Sequence, residues 1–132
     1  MNKVVATLLL ILFTCSVAVS QTGKRNGAWL NGVWEGTGYQ IDNNELWTML
    51  LTVKGNRYRI EYLSLKCGGR WRPIRITRHT ARFRETLSSG ADVCADKGKV
   101  VVQRLSRRQI VFLYTNQDDA DVTSSSVLNR KK

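Results

Sequence analysis

Between residues 32 and 115, apolar and polar positions alternate in short runs bounded by Gly, Asn, Asp or Ser, and no stretch sustains a helical period. Seven runs read as strands: Gly32–Gln40, Leu46–Val53, Arg57–Tyr62, Arg70–Thr77, Ala81–Leu87, Lys99–Leu105 and Gln109–Thr115. Asp42-Asn43-Asn44, Lys54-Gly55-Asn56, Cys67-Gly68-Gly69, Ser88-Ser89-Gly90 and Asp96-Lys97-Gly98 supply the turns between them. This spacing predicts an all-β domain, a small antiparallel up-and-down barrel of about seven or eight strands, with a sandwich as the alternative. Closure favours the barrel, because it leaves no strand edge exposed to another chain.

Within each run the alternation assigns faces. Tyr58, Ile60 and Tyr62 point one way and Arg57, Arg59 and Glu61 the other. Trp47, Met49, Leu51 and Val53 share an inner face, as do Ile110, Phe112 and Tyr114. Pro73 interrupts the fourth run and shifts its apolar parity from Trp71 to Ile74 and Ile76, which predicts a bulge. In the fifth run Ala81, Phe83, Glu85 and Leu87 fall together. Glu85 is thus an acid on an apolar face.

The ends carry no such alternation. Met1-Asn2-Lys3, the apolar run Val4 to Phe13 and the small residues Ser16 to Ser20 have the order of a secretory signal peptide, cleaved before Gln21. A retained anchor is the alternative; the apolar stretch is barely long enough to cross a bilayer. Lipidation of Cys15, giving a lipoprotein, is another, although Thr14 is bulkier than the residue expected before such a cysteine. Residues 21–27 read as a flexible N-terminus, 28–115 as the barrel domain and 116–132 as a disordered C-terminal tail.

Cleavage changes how the cysteines and charges count. Cys15 leaves, and the remaining even pair, Cys67 and Cys94, reads as a disulfide in an oxidising compartment. Only Lys3 is lost among the charged residues, so a net charge of +11 becomes +10 on the mature chain. Such a chain, secreted or periplasmic and without a stable membrane anchor, suits an anionic partner, here an acidic protein or an anionic envelope polymer. A basic surface that serves solubility alone is the bland reading.

From Tyr62 to Arg84 there is no acid, while Arg70, Arg72, Arg82 and Arg84 lie among seven basic residues. On neighbouring strands these four would form one positive face, the candidate partner site. Trp71, between Arg70 and Arg72, belongs by alternation to the opposite, inner face. Glu85 with Tyr58 and Tyr62 is the second candidate, a polar group in an apolar barrel mouth able to hold a small apolar or amphipathic ligand. A buried structural acid paired to an inward arginine or a tyrosine hydroxyl is the alternative for Glu85. No placed partner marks it as a general acid or base, and the chain carries no nucleophile elbow, Walker loop or metalloprotease helix. His79 reads as a solvated turn residue, and one histidine with two separated cysteines makes no zinc site. The expectation is a monomeric, non-enzymatic binding protein without cofactor.

Gly32-Val33-Trp34 resembles the opening of the calycin barrels, lipocalins and avidin-like proteins, which implies a structural role for Gly32 and for Trp34 as the plug of a closed end. A longer pattern resembles a short exported bacterial domain of uncharacterised role. It runs from Gly32 to Gln40, Tyr58 to Tyr62 and Leu65 to Trp71, then Phe83-Arg84-Glu85 and Gly90 to Gly98. That resemblance implies an architecture and the Cys67–Cys94 bridge, not an activity.

Overall fold

The computed structural model describes residues 26–132. The expected signal peptide and all but two residues of the segment 21–27, expected to be flexible, therefore lie outside the described residues. Eight strands form one closed barrel in which each pairs antiparallel with its predecessor and the last pairs with the first. They are β1 (Gly32–Gln40), β2 (Leu46–Lys54), β3 (Arg57–Tyr62), β4 (Cys67–Ile76), β5 (Thr80–Ser89), β6 (Lys99–Arg104), β7 (Gln109–Thr115) and β8 (Ser124–Arg130).

β8 corrects the expectation of a disordered tail at 116–132. Its inward positions are Ser124, Ser126 and Leu128, whereas the apolar Val127 points to solvent. An inner face that is two-thirds serine carries no apolar alternation, so the segment reads as polar chain. Backbone pairing holds it nonetheless. Residues 124–130 pair along the whole strand with Trp34 to Gln40 of β1, and on the other side with β7. Ser126 also donates its hydroxyl to the Thr37 carbonyl at 2.6 Å. The Lys131 ammonium reaches Glu35 at 3.3 Å, so the chain stays bound just past the strand.

A second correction concerns Cys67-Gly68-Gly69, expected as a turn. Cys67 pairs with Tyr62, so the β3–β4 turn is Leu63 to Lys66, with Lys66 in the left-handed region at φ 56°. The glycines belong to β4 because a Cβ at Gly69 would collide with the Thr86 carbonyl of β5. The bulge after Pro73 is present, with a register shift between Pro73 and Arg75. It ejects Ile74, which is 61% exposed, and Ile76 alone returns to pack on the core.

One end of the barrel is sealed. A 3-10 turn at Ala28–Leu30 crosses it, and Leu30 and Trp34 are fully buried there. The Trp34 indole N–H donates to the Leu30 carbonyl at 2.8 Å. Arg130 of β8 stacks its guanidinium 4.1 Å from the Trp34 ring centroid and donates to the carbonyls of Trp29, Asn31 and Arg107. One side chain thus joins the last strand to the first and to the plug. Above it the lumen is filled by an aromatic column. Tyr58 contacts Phe83 at 4.8 Å between centroids, Phe83 contacts Trp71 at 5.3 Å, Trp71 stacks on Phe112 at 5.7 Å, and Phe112 meets Tyr114 at 6.2 Å. Such pairs contribute beyond their buried area.

Cys67 and Cys94 are joined, with 6.4 Å between Cα atoms and a separation of 27 residues. Closing a loop of that length stabilises the fold by about 3.5 kcal/mol in the chain-entropy model.

If β8 closes the barrel, Leu128→Ala should lower stability by about 3 kcal/mol, the cost of a core leucine removed to a cavity. Denaturant midpoints with an unchanged slope would measure it. A free tail would give no shift.

Candidate functional site

Glu85 is fully buried on the inner face of β5. Its Oε2 accepts two hydrogen bonds, from the Tyr62 hydroxyl at 2.6 Å and from the Trp71 indole N–H at 2.8 Å. The register explains the convergence: Trp71 lies directly opposite Glu85 across the β4–β5 ladder, and Tyr62 is the last inward residue of β3. Oε1 has no hydrogen-bond partner among the described residues. The carboxyl is raised to about 7: burial pushes it up most, the bonds from Tyr62 and Trp71 pull it down, and the Asp96 charge adds to the rise. Burial, followed by the adjacent Glu85 charge, also raises the Tyr62 phenol well above its ordinary range, keeping it a donor.

Glu85 lines a cavity of about 300 Å³ at the open end of the barrel, walled also by Trp47, Tyr62, Tyr114 and Ser124. Trp47 lies in the mouth because its register partner is Gly38, where any side chain would collide with the indole. The Trp47 indole N–H is buried and, like Glu85 Oε1, lacks a partner among the described residues. Tyr114 donates its hydroxyl to the Ala95 carbonyl at 3.2 Å. Two residues that line one small cavity, Trp47 and Glu85, therefore each carry a buried polar atom without a partner among the described residues, one donor and one acceptor.

The mouth joins two of its three expected residues. Tyr62 and Glu85 meet; Tyr58 does not join them. It packs on Phe83 at the plugged end, with its hydroxyl beside Gly27. Four residues separate Tyr58 from Tyr62, and on an extended strand that distance is most of the barrel's length. Trp47 and Tyr114 were legible as inward-facing residues, but nothing in sequence marks an indole N–H that finds no acceptor.

The four expected arginines share the outer surface. Arg70 on β4 sits opposite Arg59 of β3, Arg72 opposite Arg84 of β5, and Arg84 opposite Lys99 of β6; beyond the bulge Arg75 faces Arg82. Trp71 between them is buried, as alternation requires. Arg70, Arg72 and Arg82 are exposed, while Arg84 is half-buried and donates to the Lys97 carbonyl at 3.0 Å. The described residues form two ion pairs, Lys131–Glu35 and Arg59–Glu61, so most of this face has no acidic neighbour. Like charges placed directly across a ladder destabilise it. An open depression of about 1030 Å³, bordered by Arg57, Arg59, Lys66, Arg70 and Thr86, hollows the same surface.

The two ends of the barrel differ in sign. The loops around the mouth, 41–45, 63–66, 90–98 and 116–123, carry seven acidic residues against Lys66 and Lys97. At the plugged end, segments 55–56, 77–79, 105–108 and 131–132 carry five basic residues and no acid. Among the described residues no group of three or more His, Cys, Asp or Glu could hold a metal ion, and no helix is long and apolar enough to cross a membrane.

Comparison with known proteins finds no matching family model and no matching curated protein. Among solved structures the chain is similar to a redesigned beta barrel, with a TM-score of 0.59 and 17% identity over 82% of this chain and 96% of the other. The likeness is one of fold.

The raised Glu85 carboxyl has a stability consequence with a definite sign. In the unfolded chain a glutamate titrates near 4.3, so between that pH and about 7 the folded state holds the extra proton. The stability this proton confers is full below the lower value and is lost as pH rises through the upper, about 4 kcal/mol in all. Glu85→Gln keeps an acceptor for Tyr62 and Trp71 and should flatten that slope, making the variant the more stable protein at pH 8. Urea unfolding of both proteins from pH 4 to pH 8 checks this; parallel curves would contradict it.

Proposed function

We propose that this is an exported, non-enzymatic binding protein whose arginine face engages an acidic macromolecule, either an acidic protein or an anionic envelope polymer. The observation that carries the reading is the cross-strand row Arg72, Arg84, Lys99 with Arg59–Arg70 and Arg75–Arg82 beside it. Such a face lowers stability in the free protein and is relieved by a partner's negative charge. The depression on this surface adds area for contact, and β-sheet pairing fixes the charges in advance, so little entropy is lost on docking.

The Cys67–Cys94 bridge supports export to an oxidising compartment, secreted or periplasmic, in line with the leader-like residues 1–20. N-terminal sequencing of the exported protein should begin at Gln21. An intact Met1, or a lipid on Cys15, would replace that reading with an anchored one.

A calycin-like carrier is the second reading. The Trp34 plug favours it, but the aromatic column leaves the lumen filled, so it applies to the mouth rather than to an axial channel.

Heparin serves as an anionic probe of the arginine face. Its affinity should fall steeply with salt, as counterions are released from the polymer. Reversing Arg72 and Arg82 to glutamate should weaken binding by about tenfold or more and reduce the salt slope by about two. Reversing Lys131 and Lys132, beyond the end of β8, should cost far less. Equal losses from the two pairs would reduce the face to diffuse attraction by a basic protein.

A further inference from the structure

We infer that the barrel mouth is a binding site for a small amphipathic organic cation, an amine or guanidinium on an apolar body, whose positive head pairs with the free oxygen of Glu85. The site is separate from the arginine face, and either can fail without the other.

The first observation is the pair of orphaned atoms. Glu85 is fully buried and lines the cavity, one oxygen is committed to Tyr62 and Trp71, and the other has no donor among the described residues. A buried carboxylate without a counter-charge is costly, and among the described residues no ion pair involves Glu85. A ligand ammonium or guanidinium supplies both the missing donor and the missing charge. Trp47 Nε1, on the same cavity, calls for an acceptor such as a hydroxyl or carbonyl oxygen on the ligand body.

The second observation is electrostatic. A chain of net charge +11 would repel a cation from most of its surface, yet the loops around this opening carry seven acids against two bases. The field at the mouth is therefore opposite in sign to the field at the plugged end. Acidic loops around a low-dielectric cleft concentrate cations at its entrance.

The third is the wall. Trp47, Tyr62 and Tyr114 present aromatic surface to the cavity, which suits a cationic head. Around the rim Ile41, Leu46, Leu63, Leu65 and Val93 stand 37–70% exposed, an apolar collar for the ligand's body. A volume of about 300 Å³ admits a small aromatic amine and excludes a long lipid chain.

The test uses three probes on one scaffold: tyramine (cation), 4-ethylphenol (neutral) and 3-(4-hydroxyphenyl)propionate (anion). They are titrated into the folded, disulfide-bonded protein while the indole N–H resonances are followed, with that of Trp47 assigned through Trp47→Phe. Tyramine should shift the Trp47 signal saturably and bind about tenfold more tightly than 4-ethylphenol, the worth of one charge-assisted hydrogen bond. The propionate should leave the signal in place. Glu85→Gln, its fold checked by the unchanged Trp34 and Trp29 indole resonances, which report carbonyls remote from the substitution, should bring tyramine and 4-ethylphenol to similar affinity. Three results would overturn the assignment: no saturable shift with tyramine up to about 10 mM, equal or tighter binding of 4-ethylphenol to the unmodified protein, or a preference for tyramine that survives in Glu85→Gln.

Discussion

The seam between β1 and β8 is the constraint on which everything else rests. Without it the eight strands would form an open, curled sheet with two free edges and a lumen accessible to water. With it, every inward side chain faces another, and the aromatic column from Tyr58 to Tyr114 becomes a sealed core. Glu85 depends on the closed ring for its burial: its own strand lies four strands from β1 on one path and three from β8 on the other, yet its carboxyl meets no solvent. Arg130 fastens the same seam at its base, turning one cation into packing for Trp34 and a donor for the carbonyls of the plug.

Two polar investments on this scaffold have no return inside the protein. Across the β4–β5 ladder the outer arginines stand opposite one another without an ion pair among the described residues, and the inner carboxylate has one oxygen without a donor among them. Packing alone would favour a neutral side chain at each of these places. One set lies on the convex wall and the other in a residue lining the mouth, and the two are opposite in charge. The loops keep the two fields apart, because the acids are concentrated at one end of the barrel.

Alternation made most of this legible. Seven strands, the inward Trp71, the bulge after Pro73 and the inward Glu85 all follow from period-two patterning, since a residue's face on a strand depends only on parity. The eighth strand escaped for the same reason: Ser124 and Ser126 sit inside and Val127 outside, the reverse of the usual pattern. Small hydroxyl residues fit there because Trp47 and Tyr114 already occupy the space at the mouth, a fact about volume that one segment cannot reveal. Tyr58 was grouped with Tyr62 because parity says nothing about height along the barrel. The orphaned Trp47 indole is invisible for a similar reason, since the absence of an acceptor is a property of all its neighbours together.

The opposed charge of the two ends has a consequence for the molecule as a whole. Seven acids around one opening and none in the segments at the other give the barrel a permanent electric dipole along its axis, added to its large net positive charge. Near any negative surface the net charge draws the protein in, and the dipole exerts a torque that turns the plugged end toward the surface. The approach is therefore oriented before any contact forms, with Trp34 and its arginine nearest the wall and the opening turned to the surrounding fluid. Rising ionic strength shortens the reach of that torque to about a nanometre, so the alignment belongs to the last step of approach.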